Sequence, residues 1–113
     1  MNSPALQEFK AGFFRALAHP IRIRILESLG HGERSVQELQ QALDLEQPIV
    51  SQQLAILRGK NVVTSRKVGT NVRYALSDPL ITKLLAVARE IFNNHLVDTQ
   101  SMLKALRREA RRS

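Results

Sequence analysis

The 113-residue chain contains no cysteine. That absence excludes disulfides, thiolate metal sites and thiol redox switches. No apolar run approaches the length needed to cross a bilayer. Met1 to Gly12 also lacks the charged start and apolar core of a secretory signal, so a cytoplasmic location with no membrane partner is expected. No nucleophile elbow, phosphate-cradling glycine loop or paired acid motif is present. Ser51 has no recognisable base partner, and no catalytic residue or cofactor is assigned. Internal repeats and low-complexity tracts are missing as well.

What is present is basic and of ordinary globular composition. Hydrophobic residues make up 43% and charged residues 24% of the chain, which fits a folded domain rather than a disordered tail. The length suits one domain over residues 1–113, with an ordered core over about 5–102 and a basic C-terminal end over 103–113. A net charge of +7 points to a polyanionic partner. The cations cluster in two places: Arg66, Lys67 and Arg73 in a β-rich stretch, and Lys104, Arg107, Arg108, Arg111 and Arg112 near the end.

Ser3-Pro4 has the form of a helix start, a capping hydroxyl before proline at the first helical position. Leu6, Phe9, Phe13 and Leu17 then recur on one helical face. His19-Pro20 ends that helix and begins a second, whose Ile25, Leu26 and Leu29 face a core while Arg22 and Glu27 reach solvent. Gly30 terminates it. Ser35 and Glu38 form an S-x-x-E capping box that opens a third helix ending at Leu43. Asp44-Leu45-Glu46 is a tight turn into a fourth helix, Gln47 to Lys60. There Val50, Leu54 and Leu57 make the inward stripe. Pro48, Ser51, Gln52, Ala55 and Gly59 point the other way, a face of small or polar residues with no bulky charge.

Two β-rich arms follow, Val62 to Lys67 and Val72 to Leu76, around a Gly69-Thr70-Asn71 tip. Helix, tight turn, helix and basic hairpin make the expected fold mainly α with a small β-hairpin, a winged helix-turn-helix. That layout presents one helix to a major groove of double-stranded DNA and a ribbon to the flanking backbone. Basic residues on the ribbon also discourage edge-to-edge aggregation, and the two roles are compatible.

Asp78-Pro79 opens a last long helix running to about Met102 or beyond. Ile81, Leu84, Leu85, Ala88, Ile91, Phe92, His95 and Leu96 give it an apolar face wider than a domain this small needs. Together with Phe9 and Phe13 of the first helix, that face is expected to form a homodimer seam, and a twofold dimer multiplies weak half-site contacts. Two other classes fit the same outline less well: a winged-helix protein-interaction module, and a non-specific nucleic-acid coating protein. The groove-sized face around Gln52 and the basic wing favour an operator-binding regulator.

The stretches Ala16 to Leu26, Gln47 to Leu57 and Arg73-Tyr74-Ala75-Leu76 together resemble the ArsR/SmtB family of bacterial transcriptional repressors, over about Phe9 to Leu96. The resemblance implies a winged homodimer that sits on operator DNA until an inducer weakens its grip. By matching positions it implies groove contacts from Gln47, Ser51, Gln52 and Gln53, and wing contacts from Arg66, Lys67 and Arg73. Glu46 departs from the small hydroxyl residue common there; it suits the positive helix end but repels a close phosphate. Family members that sense metal through thiolates need cysteines, which this chain lacks. Another family site joins an Asp-x-His pair to a later His-x-x-Glu pair; His95 and Asp98 imitate the later pair, while Thr82 and Leu84 stand at the earlier positions, and leucine binds no metal. No metal site is therefore assigned, and the expected inducer is a small organic molecule between the first and last helices, or none.

Overall fold

The computed structural model describes residues 3–112. In chain order the elements are α1 (Pro4–Leu17), α2 (Pro20–Leu29), β1 (Arg34–Ser35), α3 (Val36–Leu43), α4 (Gln47–Gly59), β2 (Val63–Val68), β3 (Asn71–Leu76) and α5 (Leu80–Arg112). They divide into two compact units, one ending at Thr82 and one beginning at Lys83.

Local chemistry sets each boundary in the first unit. The Leu6 N–H donates to Ser3 Oγ at 3.1 Å, with Pro4 in the first turn of α1, where its missing N–H costs nothing. The Ile21 N–H donates to His19 Nδ1 at 3.1 Å, so histidine caps α2 ahead of Pro20. At Ser35 the capping box is complete: the Glu38 N–H donates to Ser35 Oγ, and the Ser35 N–H donates to Glu38 Oε1. Asp44 takes a left-handed conformation (φ 54°) at the end of α3, and its N–H bonds to the Gln40 carbonyl. Arg24 satisfies another α3 carbonyl by donating to Leu43 O at 2.7 Å.

Gly30 ends α2 without a left-handed turn. Its backbone is right-handed helical, with φ −62°. Glycine is needed there for closeness instead, because a Cβ would lie 3.1 Å from the Glu27 carbonyl and 3.2 Å from Thr82 Oγ1. The change of direction falls to Gly32, at φ 136°.

The core comprises Ile25 and Leu26 from α2, Leu39 from α3, Val50, Leu54 and Leu57 from α4, and Val62 ahead of the wing, all fully buried. Ile81, expected in the dimer seam, is 5% exposed and belongs to this core instead; it lies in the first turn of α5, where the Leu80 N–H donates to the Asp78 carboxylate at 2.9 Å. The sheet has three strands in the order β1-β3-β2, all antiparallel. The β2–β3 register pairs Val63 with Leu76 and Val68 with Asn71. The tip is therefore the two residues Gly69-Thr70, with Asn71 already paired, and Gly69 supplies the positive φ such a short turn requires. The two-residue strand β1 was not anticipated; it pairs Arg34 with Tyr74 and Ser35 with Arg73.

The second unit is the remainder of α5, helical through Arg112 and so extending past the expected limit near Met102. It exposes a row of large apolar side chains that includes Ile91, Phe92, Leu96, Met102 and Leu106. Among the described residues no helix is long and apolar enough to cross a membrane.

Leu54→Ala should lower stability by about 2–5 kcal/mol, because α4 cannot collapse onto the space left between α2 and α3. Denaturant titration checks this, and a loss under 1 kcal/mol would mean that the site is not part of a tightly packed core.

Candidate nucleic-acid interface

The α4 helix has two unlike faces. Its inward stripe leaves Val50, Leu54 and Leu57 with no exposed surface, which fixes the rotation of the helix. Gln47, Pro48, Gln52 and Ala55 are exposed on the other side, and Ser51 is half-buried. Gln47 Nε2 donates to Ser51 Oγ at 2.6 Å, one turn along, so these two side chains are held as a pair and Gln47 keeps its amide oxygen free to accept. Glu46 stands at the N-cap without a side-chain hydrogen bond to the helix. Its backbone carbonyl takes the Ile49 and Val50 N–H groups.

Gln53 does not join that outward set. It is 9% exposed, and its Oε1 accepts from Arg22 Nη1 at 3.0 Å. At 100° per residue Gln53 follows Gln52 off the outer face and into the packed side. Arg22 is correspondingly not the solvated residue expected: its guanidinium also donates to the Ala16 carbonyl at 2.7 Å and the Arg15 carbonyl at 3.3 Å. One side chain thus closes the C-terminal carbonyls of α1 and holds α4 through Gln53. Spacing alone could not reveal this link, since Arg22 and Gln53 lie 31 residues apart.

On the wing the three expected cations differ from one another. Lys67 and Arg66 are exposed, Arg73 half-buried. Arg66 makes a two-point contact with Glu33, Nε to Oε2 and Nη2 to Oε1, both 2.9 Å. Arg73 donates to Glu33 Oε1 at 2.8 Å and to the Glu33 carbonyl at 3.1 Å, and pairs with Glu38 at 3.0 Å. Glu33 is the functional-region residue that sequence reading missed; only the β1–β3 pairing carries it to the wing.

The cluster shifts its own ionisation. Hydrogen bonding from Arg66 holds the Glu33 carboxyl below its ordinary value, assisted by Arg73 and opposed by partial desolvation. The Ser35 N–H, with help from Arg73, does the same for Glu38. Arg66 is in turn held even more firmly protonated by Glu33.

Of the remaining expected positions, Phe9 (75% exposed), Ile91 and Phe92 stand open to solvent, whereas Phe13, Leu84, Leu85 and Ala88 are half-buried. Phe13 stacks edge-on against Phe14 at 5.6 Å. His95 and Asp98 are both exposed on α5, and no group of three or more metal-ligating side chains converges among the described residues.

Residues 19–65 match the bacterial regulatory protein, arsR family. An uncharacterized HTH-type transcriptional regulator of Mycobacterium tuberculosis, Rv0081, is 45% identical over 108 residues, covering 95% of both chains. The crystal structure of Rv0081 superposes with a TM-score of 0.77 over 87% of this chain and 98% of that one. A biofilm growth-associated repressor of Agrobacterium fabrum is 37% identical over 69% of this chain and 67% of its own. The homodimeric winged helix-turn-helix DNA-binding domain Mb0332 of Mycobacterium bovis is 28% identical, with a TM-score of 0.74 over 84% of this chain and 91% of that one.

The depressed Glu33 and Glu38 values have a definite sign. A carboxylate whose folded pKa is lowered stabilises the fold above its unfolded value, and that contribution is lost as pH falls through the folded one. Acid titration followed at Tyr74, the single tyrosine, which sits in β3 beside Arg73, should leave the wing unchanged through the ordinary carboxylate range and alter it only below. A transition centred in the ordinary range would contradict the paired arrangement.

Proposed function

This chain belongs to the ArsR family of bacterial regulatory proteins, and on that premise we propose that it is a homodimeric repressor that reads a palindromic operator. Members of the family are transcriptional regulators rather than enzymes, and the fold is a winged helix-turn-helix. The observation that carries the proposal is the outer face of α4: exposed, slender and free of charged side chains between Gln47 and Ala55, on a helix whose opposite face is fully buried. Such a face can approach base edges closely without desolvating a charge.

In this reading Gln52 offers its amide donor and acceptor to an adenine edge, the paired arrangement glutamine makes in a major groove. The Gln47–Ser51 pair lies beside it, and Ile49 or Ala55 meets a thymine methyl. Gln53 takes no part in the groove; its bond to Arg22 keeps α4 in place. Lys67 and Arg66 supply wing contacts to phosphates, which set register and affinity without reading sequence. Arg73, with three acceptors already engaged, supports the wing from behind.

Dimerisation is supported by the exposed apolar side chains Phe9 on α1 and Ile91 and Phe92 on α5, and by the homodimeric state of the Mycobacterium bovis relative. Two recognition helices on a twofold axis address half-sites one helical turn apart, and the protein acts in the cytoplasm, where its operator is. Its inducer is a small organic molecule, or it has none; with no cysteine in the chain, thiolate chemistry is closed to it.

Gel-shift titrations on operator and scrambled duplexes at two salt concentrations test the division of labour. Gln52→Ala should cost about 1–3 kcal/mol on the operator and little on the scrambled duplex. Lys67→Ala should weaken both alike and flatten the salt dependence. Equal affinity of the unaltered protein for both duplexes would replace operator reading with non-specific coating, and no binding to either would leave a protein-interaction module.

A further inference from the structure

We infer that Glu33 is an internal stand-in for DNA phosphate, holding Arg66 in the posture from which DNA binding transfers it to the backbone. The inference rests on the wing contacting DNA, and it starts from an asymmetry between two arginines on adjacent strands. Arg66 and Arg73 face each other in the β2–β3 ladder, and both reach the same carboxylate. Arg73 is committed: its guanidinium engages the Glu33 carboxylate, the Glu33 carbonyl and Glu38, and its side chain is 29% exposed. Arg66 has Glu33 alone as a described partner, and its side chain is 65% exposed.

The Arg66–Glu33 contact is a two-point fork, Nε and Nη2 each on its own carboxylate oxygen. A phosphate presents the same pair of oxygens to the same fork, so the exchange keeps the guanidinium geometry and substitutes one anion for another. The Arg66 end of the pair is open to solvent and screened by salt, so a phosphate can reach the guanidinium and offer an equivalent fork in exchange. Glu33 is not stranded when Arg66 leaves, because Arg73 stays on Oε1.

The charges in the cluster cancel. Glu33 and Glu38 offset Arg66 and Arg73, so of the three cations on the hairpin Lys67 alone lacks an acidic partner among the described residues. Glu33 thereby restrains sequence-independent attraction to any duplex. It positions Arg66 and tempers it; it does not touch a base.

The test uses full-length protein with operator and scrambled duplexes over a salt series. Glu33→Gln keeps the shape and a hydrogen-bond acceptor but removes the charge. It should raise affinity about three- to tenfold at low salt on both duplexes alike, and steepen the slope of log affinity against log salt by about one. Glu33→Asp, which keeps the charge, should retain the unaltered slope. In an Arg66→Ala background the gain from Glu33→Gln should vanish. A variant that binds more weakly, or an unchanged slope, would overturn the inference and make Glu33 a plain scaffold residue. A measurement on unaltered protein guards against a folding effect: on adding duplex DNA, the Arg66 Nε–H resonance should move while that of Arg73 stays. Equal movement of the two, or none at Arg66, also overturns it. If Arg66→Ala leaves DNA affinity untouched, the wing reading itself fails; if Arg66→Ala weakens binding yet Glu33→Gln does not strengthen it, only the role of Glu33 fails.

Discussion

The rotation of α4 about its own axis is the constraint on which the rest depends. Val50, Leu54 and Leu57 are buried to the last square ångström, and each contributes about 1.5–3 kcal/mol by leaving water. Turning the helix by one residue, 100°, would expose part of that stripe and bury Gln52. The outer face is therefore not defined by its own residues, none of which holds it outward. It is the face left over once the inner one is satisfied. The Arg22–Gln53 bond adds a polar stop to the same rotation, because a buried amide and a half-buried guanidinium each lose a partner if the helix turns.

Helix and wing are built on opposite electrical principles. The exposed face of α4 from Gln47 to Ala55 carries no charge, while at the base of the wing three ion pairs link Arg66, Glu33, Arg73 and Glu38 in a chain. An uncharged face reads through direct hydrogen bonds, whose strength varies with the base met. A charged ribbon reads mainly the phosphate spacing, which hardly varies with sequence. Acidic partners beside a basic ribbon offset its charge and so lower its attraction for any phosphate backbone. Discrimination depends on the ratio of the two kinds of contact rather than on either term alone.

How much of this was legible in the chain follows from the range of each interaction. Helix starts at Ser3, His19 and Ser35, the turn at Asp44 and the stripe on α4 are encoded within a few residues, by caps and by periodicity, and the structure places them where the spacing predicted. Contacts between distant segments left no local trace. Strand β1 is two residues long, too short for any alternation to register, yet it brings Glu33 to the wing. Gln53 lies next to Gln52 and has the same chemistry; the 100° step turns it to the packed side, but its bond to Arg22, 31 residues away, leaves no mark in the local spacing. Ile81 continues the apolar face of α5 and so reads as part of a dimer seam, whereas in the first turn of that helix, next to the Asp78 cap, it is buried in the core of its own chain.

Ser35 ties these layers together. Its backbone pairs with Arg73 in the sheet, its hydroxyl caps α3, and its N–H bonds the Glu38 carboxylate that also holds Arg73. The first residue of the helix-turn-helix is thus the last residue of an edge strand of the wing sheet. A displacement of α3 cannot be absorbed in a flexible linker there, because no linker exists; it must move β3 and with it the base of the wing. From α3 the turn through Asp44, fixed by the Gln40 carbonyl, carries the same displacement into α4 within three residues. Helix α4 and the wing are therefore mechanically coupled through α3, and a displacement of either is passed to the other.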